Sequence, residues 1–423
     1  MAATDAHRTI DAVWRIESAR LIAGLTRLLR DVGLAEELAQ DALVAALEQW
    51  PHTGIPENPG AWLMATAKHR AIDQLRRRRM LSRKHQVLEH ELEMEQLSNG
   101  GSLEASAEDV VGDDLLRLMF IACHPLLSTE ARTALTLKLL AGLTTGEIAR
   151  GFLVPESTIA QRIVRAKRTL AAARVPFETL PPEQLRERLS SVMEVIYLVF
   201  NEGYSATAGD DWMRQAMCEE ALRLGRMLAE LAPLEAEVHG LAALMEIQAS
   251  RLSARVGENG EPVLLMQQNR AQWDRLLIHR GLLALARGEA LGERRGPYLL
   301  QAAIAACHAR AASPAETDWV LITALYDELA RLFPSPVVEL NRAVAVSMAY
   351  GPAAGLEVAD RLAAQGALRS YHLLPSVRGD LLAKLGRYYE ARGEFERAAT
   401  LTQNRRESRL LLDRAAACRS GEI

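Results

Sequence analysis

Aromatic side chains make up only 5% of the 423 residues, and β-branched residues are also sparse. Alanine, leucine, arginine and glutamate dominate, and apolar residues recur at helical spacing almost everywhere, so the expected fold class is all-α. The four cysteines (Cys123, Cys218, Cys307, Cys418) stand far apart and form no metal-type pair. They fit reduced thiols rather than a disulfide framework. No apolar run is long enough to span a bilayer and the N-terminus has no apolar signal core, which predicts a soluble, cytoplasmic chain without a membrane partner. His124, His239, His279, His308 and His372 are scattered, and there is no HExxH, P-loop or GxSxG. An enzyme reading therefore finds no catalytic residue, and neither metal nor cofactor is expected. The net charge of −4 argues against a protein that coats nucleic acid throughout, so any DNA binding must come from local basic patches.

One such patch is Leu143 to Leu170, which reads as two short helices joined by a tight turn. In the first, Thr145 is the expected cap, Glu147 favours the positive helix start, and Ile148 and Phe152 share a buried face. Pro155 disfavours helix at the residue before it but is tolerated at the next start, where Ser157 is the expected cap. The second helix should bury Ile159, Ile163, Ala166 and Leu170. Its other face carries Gln161, Arg162, Arg165, Lys167 and Arg168, with no acid after Glu156. This is a helix-turn-helix layout, in which the second helix enters the major groove. A surface hairpin with a solvated basic face is the alternative.

Upstream, apolar stripes such as Trp14, Leu21, Leu25 and Leu28 give way at Gly33 to a second helical stretch. That stretch should bury Leu38 and Ala42, leaving Glu36, Glu37, Gln40 and Asp41 outward. A proline-rich loop, Pro51 to Pro59, leads into a helix with Trp62, Leu63, Ala67 and Leu75 at burial spacing. Lys68, Arg70 and Arg76 to Arg79 make a dense positive band on it. A ring beside cations suits unpaired bases, since rings stack and cations hold the strand. A core tryptophan beside a solvated helix end is the competing reading. From His85 to Asp114 acids accumulate without lysine or arginine around SNGGS, which reads as an acidic flexible linker, with helices resuming at Leu115. The expected division is 1–80, a linker at 81–112, 113–175, and a tail at 183–423.

After the prolines at 176, 181 and 182 the tail is helix after helix, separated by short Gly/Pro breaks. Gly379, Ala391, Phe395 and Ala398 have the spacing of a tetratricopeptide helix pair, where small residues let helices approach and the ring fills the groove. The stretches around Asn341 to Leu362 and Pro297 to Ala312 look like degenerate relatives, so a helical solenoid is expected. The NEGY segment (Asn201 to Tyr204) reads as a helix-ending turn with a polar contact, or else as a binding motif.

Taken together, EELAQDAL, AWL…AIDQLRR and EIARGFLVPESTIAQRIVRAKRTL, in this order, resemble an extracytoplasmic-function sigma factor of the sigma-70 family. FNEGYSAT, GPYLLQAAIAACHA, SPVVELNRAVAV and YHLLP resemble its subgroup with a tetratricopeptide-like C-terminal extension. The resemblance implies binding to core RNA polymerase through the β′ clamp helices and the β flap, and to promoter DNA. It places Glu37, Gln40 and Asp41 on the clamp-binding face. It assigns recognition and melting of the −10 element to Asn58, Trp62, Lys68, His69, Arg70, Asp73, Arg76 and Arg77. It gives the −35 element to Ser157, Thr158, Gln161, Arg162, Arg165, Lys167 and Arg168. His69 and Leu153 stand where the family often has asparagine and glycine. The resemblance implies the fused extension as regulator, with a protein or peptide partner of its own as a further expectation. A helix-turn-helix repressor with a helical effector domain is the alternative; it would dimerise on a palindrome and would need neither Trp62 nor the clamp-binding face.

Overall fold

Helix α1 (Ala2–Leu29) ends at Arg30, whose φ of 51° is left-handed, and Asp31 then opens α2 (Val32–Thr53). The Asp31 carboxylate accepts from the Gly33 and Leu34 amides at 2.9 and 3.0 Å. The break expected at Gly33 thus falls at Arg30–Asp31, because a carboxylate satisfies helix-start amides better than glycine can. Helix α2 continues through Pro51, which shortens the expected proline-rich loop to Gly54–Asn58. Asn58 Oδ1 accepts from the Ala61 amide at 3.0 Å to start α3 (Pro59–Ser82).

The structure, a computed structural model, describes residues 2–82, 107–152, 154–173, 175, 177, 182–205, 208–209, 213–257, 261–292, 294–366 and 368–420. Among them the chain is all-α, with eighteen α-helices and one parallel pairing of two-residue strands, β1 (Ala208–Gly209) with β2 (Gln403–Asn404). Two compact units divide it, 1–195 and 196–423. Leu153 and most of the acidic stretch, 83–106, lie outside the described residues.

In the first unit α1 packs on α2, on α3 and on α4 (Ala107–Ala122). Helix therefore resumes at Ala107, inside the stretch read as linker, and not at Leu115. Asp114, counted there as a linker acid, is 3% exposed and pairs with Arg27 of α1 and with Arg117, each at 3.3 Å. A buried carboxylate needs such partners. Helices α5 (Thr129–Leu139), α6 (Thr145–Phe152) and α7 (Glu156–Ala172) follow, around buried Leu118, Leu135, Leu139, Ile148 and Ile163. The first half of α8 (Pro182–Tyr204) closes on them: Ser191 Oγ donates to the Cys123 carbonyl at 2.8 Å, and Arg132 pairs with Glu194 at 3.3 Å. The unit boundary falls inside α8.

The second unit adds α9 (Gln215–Leu231), α10 (Ala236–Ala249), α11 (Arg275–Leu291), α12 (Pro297–Arg310), α13 (Trp319–Leu332), α14 (Pro336–Tyr350) and α15 (Pro352–Gln365). It ends with α16 (Leu373–Lys384), α17 (Tyr388–Leu401) and α18 (Arg405–Ser420), and each helix packs on its neighbours in sequence. The repeat spacing read at Gly379 is realised between α16 and α17. Ala391, Phe395 and Ala398 are fully buried, and a Cβ added at Gly379 would meet the Phe395 ring at 2.8 Å. The short-break expectation fails once, between α10 and α11. There, the described residues of 250–274 hold three 3-10 turns, and the ends of this connection are tied by the Asp274 amide donating to the Ser250 carbonyl at 2.8 Å. The four cysteines are buried and unpaired, and no helix among the described residues is long and apolar enough to cross a membrane.

Candidate nucleic-acid interface

Helix α6 is started by Thr144, one residue before the expected Thr145. The Thr144 hydroxyl accepts from the Glu147 amide at 3.1 Å, and the Glu147 carboxylate accepts from the Thr144 amide and hydroxyl, each at 2.8 Å. This reciprocal capping box satisfies two helix-start donors, which a cap at Thr145 would leave unpaired. Burial works against the Glu147 charge, but the Thr144 hydrogen bonds, with Arg15 and Arg150, hold its carboxyl below the usual range. Helix α7 starts on Pro155 with no side-chain cap, and Ser157 lies inside its first turn rather than before it. Proline's fixed φ already suits that position.

The buried face of α7 is the expected one: Ile159, Ile163, Ala166 and Leu170. Ser157, Gln161, Arg165 and Arg168 are exposed, while Thr158 and Arg162 are half-buried. Lys167 departs from the exposed-face reading. Its ammonium pairs with Glu36 of α2, and Lys138 of α5 reaches the same carboxylate at 3.7 Å. Glu36, expected to face outward, is only 5% exposed, and it also accepts from Gln40 Nε2 at 2.6 Å. Burial pushes the Lys167 and Lys138 ammoniums below the usual lysine range, partly offset by Asp31 and Glu147 respectively. Arg15 of α1 adds a second cross-link to α6, pairing with Glu147 at 3.3 Å. The sequence reading missed Glu36 because it lies at the edge of the Leu38–Ala42 stripe. Its position beside the buried Ala35 and Ala39 was the available signal.

On α3, Lys68, His69, Arg70, Asp73 and Arg76 are all exposed, while the Arg77 side chain lies outside the described residues. Asn58 is exposed at the helix start, where its side chain serves as the cap. Trp62 is half-buried, its ring standing edge-on to the buried Trp50 at 5.3 Å between centroids. It is thus partly a core residue and partly accessible. Glu37 and Asp41 are exposed and Gln40 is half-buried; Asp41 lies 3.5 Å from Arg70, which joins the acidic face of α2 to the cationic band of α3. Among the described residues no three histidine, cysteine or acidic side chains gather as metal ligands.

Residues 16–80 match the family described as Sigma-70 region 2, residues 117–170 match Sigma-70, region 4, and residues 188–289 match a family of unknown function (DUF6596). An uncharacterized protein of Rhizobium meliloti is 44% identical over 405 residues, covering 94% of this chain and 93% of that one. A probable RNA polymerase sigma-C factor of Mycobacterium bovis is 27% identical over 150 residues, 35% of this chain and 74% of its own length. The same values hold for an ECF RNA polymerase sigma factor, SigC, of Mycobacterium tuberculosis.

Proposed function

Because this chain is a sigma factor of the sigma-70 family, of the extracytoplasmic-function type with a C-terminal helical extension, we propose that its two cationic helices divide promoter recognition between them. A sigma factor binds core RNA polymerase and promoter DNA. In the proposed division α3 recognises and opens the −10 element and α7 reads the −35 element. Glu37, Gln40 and Asp41 engage the β′ clamp helices, and the region 4 module engages the β flap.

The observation that carries this reading is the surface of α3. Four exposed basic side chains, Lys68, His69, Arg70 and Arg76, follow a half-buried tryptophan that packs T-shaped with Trp50. Opening a duplex costs a few kcal/mol per unstacked base, and a half-accessible ring backed by phosphate-binding cations offsets that cost. On α7, the exposed Arg165 and Gln161 are suited to base edges and Arg168 to phosphate. Lys167 joins them only after leaving Glu36, so −35 reading competes with the contact between the two modules. The extension regulates how available these modules are to polymerase.

Co-purification with core polymerase, followed by transcription in vitro on a promoter library, tests the division. A promoter consensus with two elements supports it. Failure to associate with polymerase, together with dimeric binding to a palindrome, would leave the repressor reading in its place. Truncation after Arg174 tests the extension: altered transcription or polymerase affinity supports a regulatory role, and unchanged values for both reject it.

A further inference from the structure

The connection 250–274 gathers buried polarity in the second unit. Three of its arginines interleave with two rings. Arg255 Cζ lies 3.7 Å from the Tyr204 ring centroid, Arg251 lies 5.8 Å from Tyr204 and 5.7 Å from Trp273, and Arg270 lies 4.9 Å from Trp273. Stacking on ring faces makes such cations tolerable but does not cancel their mutual repulsion. Burial lowers the pKa of both Arg255 and Arg270, and the charge of Arg251 adds to each shift.

Two of the three have evident structural work. Arg255 donates to the Tyr204 carbonyl at 3.0 Å. Arg270 donates to the His308 and Ala311 carbonyls at 2.6 and 2.5 Å, capping the end of α12, and to Thr317 Oγ1 at 3.2 Å. Arg251 has no such work. Its guanidinium lies over the Tyr204 and Trp273 rings, and among the described residues its buried Nε has no hydrogen-bond partner.

Among the described residues twelve buried side-chain polar atoms lack a partner, and six of them are here: Tyr204 Oη, Arg251 Nε, Gln268 Oε1, Arg270 Nε, Trp273 Nε1 and His308 Nδ1. Four of the six are donors, and His308 Nδ1 is a fifth in one tautomer. An unsatisfied buried donor keeps its full desolvation penalty, and native proteins keep few of them. Arg251 also acts on His308, whose pKa falls to about 4, first through burial and then through Arg251 and Arg270. The imidazole is therefore neutral at pH 7. A cation and ring donors on a long connection of short 3-10 turns, inside an otherwise regular α-helical array, are the composition of a ligand site.

We infer that Arg251, Tyr204, Trp273 and His308 form a binding site for a small oxyanion, a metabolite bearing phosphate or carboxylate groups, which makes the extension a ligand-sensing domain. The guanidinium fork of Arg251 accommodates two oxygens of such a group, and the Tyr204 hydroxyl and Trp273 indole donate to the others. Tyr204, Arg251 and Trp273 lie within residues 188–289, the segment that matches a family of unknown function, and His308 lies beyond it; the site does not depend on how the promoter is read.

Titration calorimetry of the full chain with inorganic pyrophosphate and with citrate, at fixed ionic strength set by chloride, tests this. The wild type should bind one of the two saturably and one-to-one. Pyrophosphate alone points to phosphorylated ligands, citrate alone to polycarboxylates. Arg251→Gln should weaken binding at least tenfold and Tyr204→Phe several-fold. Arg280→Gln, on an exposed position of α11, should leave it unchanged. Circular dichroism establishes that each variant is folded. If Arg251→Gln does not fold, Arg251→Lys replaces it, keeping the charge and losing the fork. Absence of saturable binding of either anion by the wild type overturns the inference, as does undiminished binding in a folded Arg251 variant.

Discussion

Lys167, on helix α7 of the region 4 module, is ion-paired with Glu36, a buried residue of the region 2 module. The same carboxylate holds Lys138, so one anion is ion-paired with two cations whose charge burial disfavours. A lysine proposed to contact the −35 element is thereby occupied within the protein.

Replacing Glu36 with glutamine leaves the two lysines facing each other. Loss of one partner from a fully buried pair costs about 3–5 kcal/mol, and partial exposure of these lysines reduces that to about 2 kcal/mol. The variant should unfold at lower urea concentration and bind a −35 duplex more tightly, since Lys167 is released. Unchanged stability together with unchanged duplex affinity would show that the pair restrains nothing.

On α7 the substitutions should separate by exposure. Arg165→Ala should cost about 1–3 kcal/mol on the preferred −35 sequence and relax preference at one position. Arg168→Ala should weaken all sequences alike and reduce the salt dependence by about one phosphate contact. Lys167→Ala should show a smaller loss than Arg168→Ala, because freeing Lys167 from Glu36 already costs part of what it gains on DNA. Binding isotherms at several salt concentrations distinguish these patterns.

Trp62→Ala removes both the edge contact to Trp50 and the accessible ring face. The module should lose about 1–3 kcal/mol, less than a fully buried tryptophan would cost. Trp62→Phe should retain most of that stability. Both variants should form open complexes slowly on duplex promoters and recover on a pre-melted template. Normal opening by a stable Trp62→Phe variant, measured by permanganate footprinting, would confine Trp62 to packing or show that a smaller ring suffices.

His308 gives the second unit an acid limit. Its pKa is lowered to about 4 by burial and by Arg251 and Arg270, against an ordinary value near 6.5. The native state keeps the ring neutral while the unfolded state takes up a proton. This stability is therefore complete above about pH 6.5 and is lost as pH falls towards 4, by up to about 3 kcal/mol. Urea titrations between pH 4 and 7 should show a shallower decline for His308→Gln. An identical decline in both proteins would assign the acid sensitivity to other groups, His124 among them, since its pKa is lowered to about 4 as well.

Features set by local spacing were legible in the sequence. The buried face of α7 follows from Ile159, Ile163, Ala166 and Leu170 at helical intervals, and the fit of Phe395 against Gly379 follows from a repeat pattern. Contacts between residues far apart in the chain were not. Nothing near Glu36 announces that lysines 102 and 131 positions later will bury it, and Asp114 reads as one more linker acid until Arg27 covers it. The arginine–ring cluster was hidden for the same reason. Tyr204 was noted within NEGY, but its partners Arg251 and Arg255 come two helices later. At the start of α6 the error was a single residue, with Thr144 capping where Thr145 was expected, since either threonine could supply the hydroxyl.

The short parallel pairing of β1 with β2 links residues 208–209, near the beginning of the second unit, to residues 403–404, just before its last helix. An array of helical repeats with only nearest-neighbour contacts unravels from its ends, one repeat at a time. Here segments near the two ends are fastened to each other, so opening at one end also strains the other. The unit should therefore melt more cooperatively than a stack held by nearest-neighbour contacts alone.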